Sequence, residues 1–234
     1  MKTTNSILTL IIGLTYFACN SSQTENKTAS SDTLNFKVID DIEKKITTDT
    51  LYKLLDYSLQ LDSFEFSKWE PFLFIKTGNF LSSSNKNAFL VSCPTDSTYK
   101  IELYSKLDDS WVKNDELIVP EAFSMQFFPD FEDYNFDGQK DVYLQCSVSN
   151  GYALSRGHLL TINPNTQKMQ THPEARDLAN MQPDFKSKTI ISEDVDWSVD
   201  YGFQGVCDLK NKWINGKLKT MKRECPGKNP KGYQ

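Results

Sequence analysis

The sequence predicts a mainly β chain, built as a propeller-like or stacked set of antiparallel β-sheets with one N-terminal helix. Three observations lead there. Only one segment has a convincing helical period. Several β-prone runs are joined by short turn signals, the strongest being Asn215-Gly216 between 205–213 and 217–224. The stretch 84–93 (SNKNAFLVSC) also parallels 137–146 (DGQKDVYLQC), aligning Cys93 with Cys146. This marks a weak internal repeat over about 78–120 and 131–175, the unit length of propeller-like or stacked sheets. The final hairpin reads as a third, shortened unit.

Taken in order, 34–39 alternates apolar and polar residues and reads as a first strand. The helix is expected over 48–59, where Leu51, Leu54, Leu55 and Leu59 share one face behind a Thr/Asp/Thr cap cluster. Runs 71–76 and 88–93 are β-prone. Runs 99–107 and 110–113 form a hairpin around Asp108-Asp109, and 158–163 with 168–171 form another around Pro164-Asn165. Between Pro173 and Pro183 there is room for one short helical turn. The aromatic blocks at 64–80 and 123–136 are read as core, with one or two residues exposed as anchors for a partner or for glycan.

The sharpest chemical signal is 133–141, Asp-Tyr-Asn-Phe-Asp-Gly-Gln-Lys-Asp. It places oxygen side chains at loop positions 1, 3, 5 and 9 and a glycine at 6, the spacing of a calcium loop. Asp133, Asn135, Asp137 and Asp141 would ligate through side chains and Gln139 through its backbone carbonyl. Three carboxylates so close in sequence repel one another unless a cation neutralises them. The bidentate Glu usual at position 12 is replaced by Leu144, and the chain runs on into a β-prone segment. The same composition also suits a plain Asp/Asn/Gly turn opening a strand.

The chain has 234 residues, a formal charge of −5, 38% hydrophobic and 12% aromatic residues. Its pI is near 5.2 and its mean hydropathy −0.50. That length supports a substantial core. The acidic balance and the lack of a basic stripe argue against a nucleic-acid partner. Met1-Lys2, the apolar run 7–17 and Ala18-Cys19 read as an export signal, because the apolar run is far short of the about 20 residues a membrane span needs. The Ala18-Cys19 junction resembles the lipobox of bacterial lipoproteins, despite Tyr16 and Phe17 where smaller residues are usual. The resemblance implies cleavage before Cys19 and a diacylglycerol on its thiol. The expected organisation is then 1–18 lipoprotein signal peptide, 19–33 flexible tether, 34–225 single β-rich domain and 226–234 tail. Such a protein would sit in the cell envelope, lipid-anchored at the outer membrane and facing the periplasm.

With Cys19 acylated, Cys93, Cys146, Cys207 and Cys225 remain, an even number suited to disulfides in an exported chain. A hairpin closed on Asn215-Gly216 sets 207 opposite 224, so a Cys207–Cys225 bond needs one bulge. Cys93–Cys146 would then be the second pair.

The loop, its following strand and the Pro164-Asn165 hairpin resemble a group of bacterial envelope proteins with N-x-D-G-x-x-D calcium loops on propeller-like sheets. The resemblance covers about 125–223, with 136–142 its most specific part and 162–168 and 184–192 fitting the same pattern. Some of those relatives are immunity lipoproteins that block cell-wall-cleaving toxins. The resemblance implies a membrane-tethered, non-catalytic binding or inhibitory module whose partner is a protein such as a cell-wall hydrolase. The competing class is an envelope enzyme acting on wall or surface glycan. It has thin support: no G-x-S-x-G, H-E-x-x-H or phosphate loop occurs, and the only histidines, His158 and His172, read as a strand and a turn residue.

Overall fold

The computed structural model describes residues 48–69, 72–95, 97–120, 127–148, 154–198 and 202–226. The expected signal, the lipidation site Cys19, the tether, the strand at 34–39 and almost all of the tail lie outside these residues.

Among the described residues the chain forms one α-helix and thirteen strands in three antiparallel sheets. Helix α1 (Thr48–Ser58) comes first. Sheet 1 holds β1 (Phe64–Trp69), β2 (Phe72–Gly78), β3 (Asn87–Thr95), β4 (Thr98–Leu107) and β5 (Ser110–Pro120). Sheet 2 holds β6 (Phe128–Asp130), β7 (Val142–Val148), β8 (Ser155–Ile162) and β9 (Met169–Thr171). A 3-10 turn at Pro173–Ala175 leads to sheet 3, with β10 (Ala179–Asp184), β11 (Thr189–Ser198), β12 (Gly202–Ile214) and β13 (Lys217–Glu224). In each sheet every strand pairs with its sequence neighbours, so each is a meander of local hairpins.

Period-2 alternation stacks the layers. In sheet 1, Phe74, Phe89, Val91 and Ile101 face one way and meet Val142, Leu144, Leu160 and Ile162 of sheet 2. Their neighbours Leu73, Ile75 and Leu90 face the other way, onto Leu54 and Leu55 of α1. The opposite side of sheet 2 presents Tyr143 and Leu159 to Ile190, Leu209 and Leu218 of sheet 3. The order is therefore helix, sheet 1, sheet 2, sheet 3, with no closed barrel. β7 and β8 read as near-continuous apolar runs because both of their faces are covered.

Four strands, β1, β6, β10 and β11, escape the sequence reading. β1 alternates half-buried and exposed residues at the edge of sheet 1. β10 contains Asn180, with φ of 51°, and Pro183, which is tolerated because β10 is also an edge strand. The final hairpin is part of a complete four-stranded sheet rather than a shortened unit. Most aromatics of the two blocks are core: Phe72, Phe74, Phe127 and Tyr134 are buried, whereas Trp69 and Phe128 stand exposed.

The turn at Asn215-Gly216 has both residues at positive φ, 52° and 72°, as a two-residue hairpin of the primed type requires. Further along this hairpin the register slips between Lys210 and Asn211, so Asp208 faces Glu224. That bulge brings Cys207 opposite Cys225, and the two form a disulfide. Cys93 lies in β3, half-buried against the core between sheets 1 and 2. Cys146 is the residue skipped at a register shift in β7. Its side chain lies outside those described, so the Cys93–Cys146 pair stays an expectation.

Candidate metal centre

The 133–141 loop connects β6 to β7 and is seated by aromatic rings on both sides. Phe131 packs edge-on against Phe80 and Phe89, with ring centres 4.9 and 5.5 Å away. Tyr134 is fully buried and donates its hydroxyl to Asp130 at 2.7 Å. Trp213 of β12 donates its indole N–H to the Tyr134 carbonyl at 2.7 Å. The loop is thus held by all three sheets. Phe136 (φ 63°) and Gly138 (φ 94°) both take left-handed backbone conformations, which curl the chain tightly around its own side chains.

Inside that curl the predicted ligands accept the loop's own amides. Asp133 accepts the N–H of Asp137 at 3.1 Å through Oδ1 and that of Gly138 at 2.9 Å through Oδ2. Asn135 Oδ1 accepts the Asp137 amide at 2.9 Å, and Asp137 Oδ1 accepts the Gln139 amide at 2.9 Å. Asp133 and Asn135 are half-buried and Asp137 is exposed, so these three form the rim. The Gln139 side chain points inward: its Oε1 accepts from Gln167 at 3.1 Å and its amide donates to the Ile162 carbonyl at 3.4 Å. That leaves its backbone carbonyl as the group for a cation, as the sequence suggests.

Asp141 stands apart. It is 0% exposed, and its two oxygens accept three amides, those of Tyr134, Asn135 and Ile162. Burial pushes its carboxyl up to about 7, with Asp137 and Asp133 adding to the rise, against the opposing pull of the Ile162 and Asn135 amides. A cation at the rim would favour the ionised form.

The donor set suits calcium in kind, since every group is an oxygen. In number and convergence it falls short. Leu144, at the twelfth position, is a fully buried core residue and can offer nothing. The three loop carboxylates do not all converge, with one oxygen each within 4.8 Å of both others. Among the described residues, the group of acids and thiols that does is Asp196 with Cys207 and Cys225, whose sulfurs are spent on the disulfide. Calcium would therefore be held mainly by Asp133, Asn135, Asp137 and the Gln139 carbonyl, with water completing the shell.

The stretch aligned with this loop in the sequence, 84–93, holds a lysine in a different role. Lys86 Nζ donates to the carbonyls of Ser58 (2.8 Å), Leu59 (3.4 Å) and Leu61, at the C-terminal end of α1. The Trp111 indole donates to the Leu55 carbonyl at 2.8 Å. Helix ends leave carbonyls unpaired and slightly negative, so an ammonium fits there. Sequence reading missed this role because lysine and helix are joined only by tertiary structure.

Both histidines are buried and committed. His158 donates Nε2–H to the Pro120 carbonyl at 2.9 Å. His172 contacts Thr161 Oγ1 at 2.8 Å and Glu174 at 3.4 Å, and its ring meets Trp213 edge-on at 4.7 Å. With the carboxylate accepting from Nδ1–H, Nε2 accepts from the threonine hydroxyl. Thr161, His172 and Glu174 thus follow the order of a nucleophile, base and orienting acid. Thr161 and His172 are both buried, however, and the adjoining crevice of about 180 Å³ is lined by His158, His172 and Arg176 but not by Thr161. No protein-family model, curated protein or solved structure matches this chain.

Proposed function

We propose that this chain is a lipid-tethered, non-catalytic module of the bacterial envelope that binds and restrains a protein partner such as a cell-wall hydrolase. Cys19 would be its anchor and the 133–141 loop its calcium site. The observation that carries this proposal is the loop itself. Its rim runs from half-buried Asp133 and Asn135 to exposed Asp137, while its base is locked to sheets 2 and 3 by Tyr134, Trp213 and Asp141 and flanked on sheet 1 by Phe131. Such a loop is a rigid, acidic surface feature. Calcium would steady the rim rather than decide whether the domain folds.

The alternative, an envelope enzyme acting on glycan, draws on the Thr161–His172–Glu174 chain of hydrogen bonds. Its burial weighs against it, because a nucleophile must reach its substrate. A pull-down from envelope extract, run with and without chelator, separates the two. A binding module retains a hydrolase and lowers its activity, whereas an enzyme releases product from wall or surface glycan and retains nothing.

A further inference from the structure

β11 and β12 are longer than the sheet they belong to. β10 accompanies β11 only as far as Glu193, and β13 accompanies β12 only from Asp208 onward. Beyond those points Asp194–Ser198 pairs with Gly202–Cys207 alone, as a two-stranded ribbon leaving the sheet. Such a ribbon is marginal in water by itself. Here its base is braced from one side. The Cys207–Cys225 bond ties it to the end of β13. Arg223 reaches the Val195 carbonyl at 3.3 Å and the carboxylates of Asp194 and Asp196 at 3.6 and 3.5 Å. Pro226 lies where a side chain on Gly205 would be, its Cγ only 2.5 Å from the Cβ position.

The register puts all these braces on one face, with Asp194 opposite Cys207 and Asp196 opposite Gly205. The other face pairs Val195 with Val206 and Trp197 with Phe203. A register shift after Asp196 leaves Gln204 as the extra residue, which turns Phe203 to the same side as Val206. Trp197 is 64% exposed and Phe203 39%. Behind this apolar tip, on the same face, Glu193, Asp208 and Glu224 are register partners across three strands. Like charges set opposite one another destabilise a sheet. Lys222 contacts Glu224, Asn180 contacts Glu193, and Lys210 with Lys222 forms the next row inward, which offsets part of that and leaves the acids as the row nearest the tip.

We infer that this braced ribbon is the docking surface of the chain, and that its occupant is a basic protein surface with an apolar recess rimmed by Lys or Arg. The inference rests on the proposal that the chain is a binding module and names its contact face. Trp197 and Phe203 are anchors of the type that dominates interfaces. The acidic row beside them supplies charge complementarity and speeds encounter with a cationic partner. The braces fix the ribbon in advance, so little order is lost on binding. The same acids oppose an anionic lipid surface.

The test places photoreactive benzoylphenylalanine at 197 or 203 of the full chain in its own cells, with position 107, where Leu107 is 60% exposed, as control. Adducts are identified by mass. Both ribbon positions should trap the same basic protein, and position 107 should not. That protein, purified, should bind Trp197→Ala and the charge-reversed Asp208→Lys at least tenfold more weakly than wild type, with melting no lower in either variant. Lipid adducts alone, an acidic partner, or undiminished binding by both variants would overturn the inference. Adducts from position 107 only would sink the ribbon and leave the binding module standing. No protein adduct from any position would sink both.

Discussion

Asp141 Oδ1 accepts the backbone amide of Ile162 at 2.8 Å, joining the last residue of the acidic loop to the end of β8. Its Oδ2 accepts two more amides, from Tyr134 and Asn135. The residue that looks like a cation ligand in sequence is therefore the buried staple of the loop. Asp141→Asn keeps the shape but sets a donor against donors. A loss of about 2–4 kcal/mol is expected in denaturant unfolding, because two buried amides lose a charged acceptor. Asp137→Ala, on the exposed rim, should cost less than about 1 kcal/mol in the same experiment.

Lys86 fills the carbonyl cup at the end of α1. Lys86→Met keeps most of the aliphatic stem and removes the donor. Stability should fall by about 1.5–3 kcal/mol, the range for hydrogen bonds to a charged group. Amide exchange should rise first in 51–58, the helix whose C-terminal carbonyls the ammonium caps. Uniform exchange across all three sheets would mean that the cup is incidental.

The Cys207–Cys225 bond closes a sequence separation of 18. Cys207→Ser should lower stability by about 3 kcal/mol through the entropy returned to the unfolded chain. The stack of sheets should still form, because its cores lie away from the bridge. The loosened part should be 194–207, read as faster proteolysis there than in wild type.

His158 and His172 are both held below the ordinary histidine value by burial, with the Pro120 carbonyl and the Glu174 carboxylate respectively pulling the other way. A depressed folded value means that the unfolded chain takes up protons first as pH falls. Their contribution is whole above the ordinary value near 6.5 and is lost as pH drops through the lower folded values. The histidines should therefore impose a decline in Tm between pH 7.5 and 5, working against the buried Asp141, whose raised value has the opposite sign. His172→Gln should flatten that decline while lowering Tm at pH 7.5. An unaltered slope in both His158→Gln and His172→Gln would show that other groups govern it.

Much of the architecture could be read from local signals. Asn215-Gly216 demands one turn type, and the leucines of 48–58 demand one buried face. The bulge needed for Cys207 to meet Cys225 follows from counting along the hairpin. Apart from the central strand β11, whose acidic residues mask its pattern, what escaped reading was non-local or at an edge. β1 sits at a sheet margin, where pattern is weak, and β10 carries a proline that argues against a strand unless its edge position is known. Loop spacing marked 133–141 as a loop feeding a strand, but it could not separate the rim of Asp133, Asn135 and Asp137 from Asp141. That distinction depends on β8 lying beside the loop.

A calcium titration by calorimetry, paired with thermal melts, tests the metal site most directly. Wild type should show heat with a Kd on the order of 10⁻⁴–10⁻³ M, as for an incompletely coordinated extracellular site. At millimolar calcium that adds only about 0.4–1.4 kcal/mol, a rise of a few degrees in Tm at most. Asp137→Ala should show neither heat nor shift. An absence of heat and of thermal shift in wild type up to several millimolar calcium would contradict the metal site and leave 133–141 a self-capped turn.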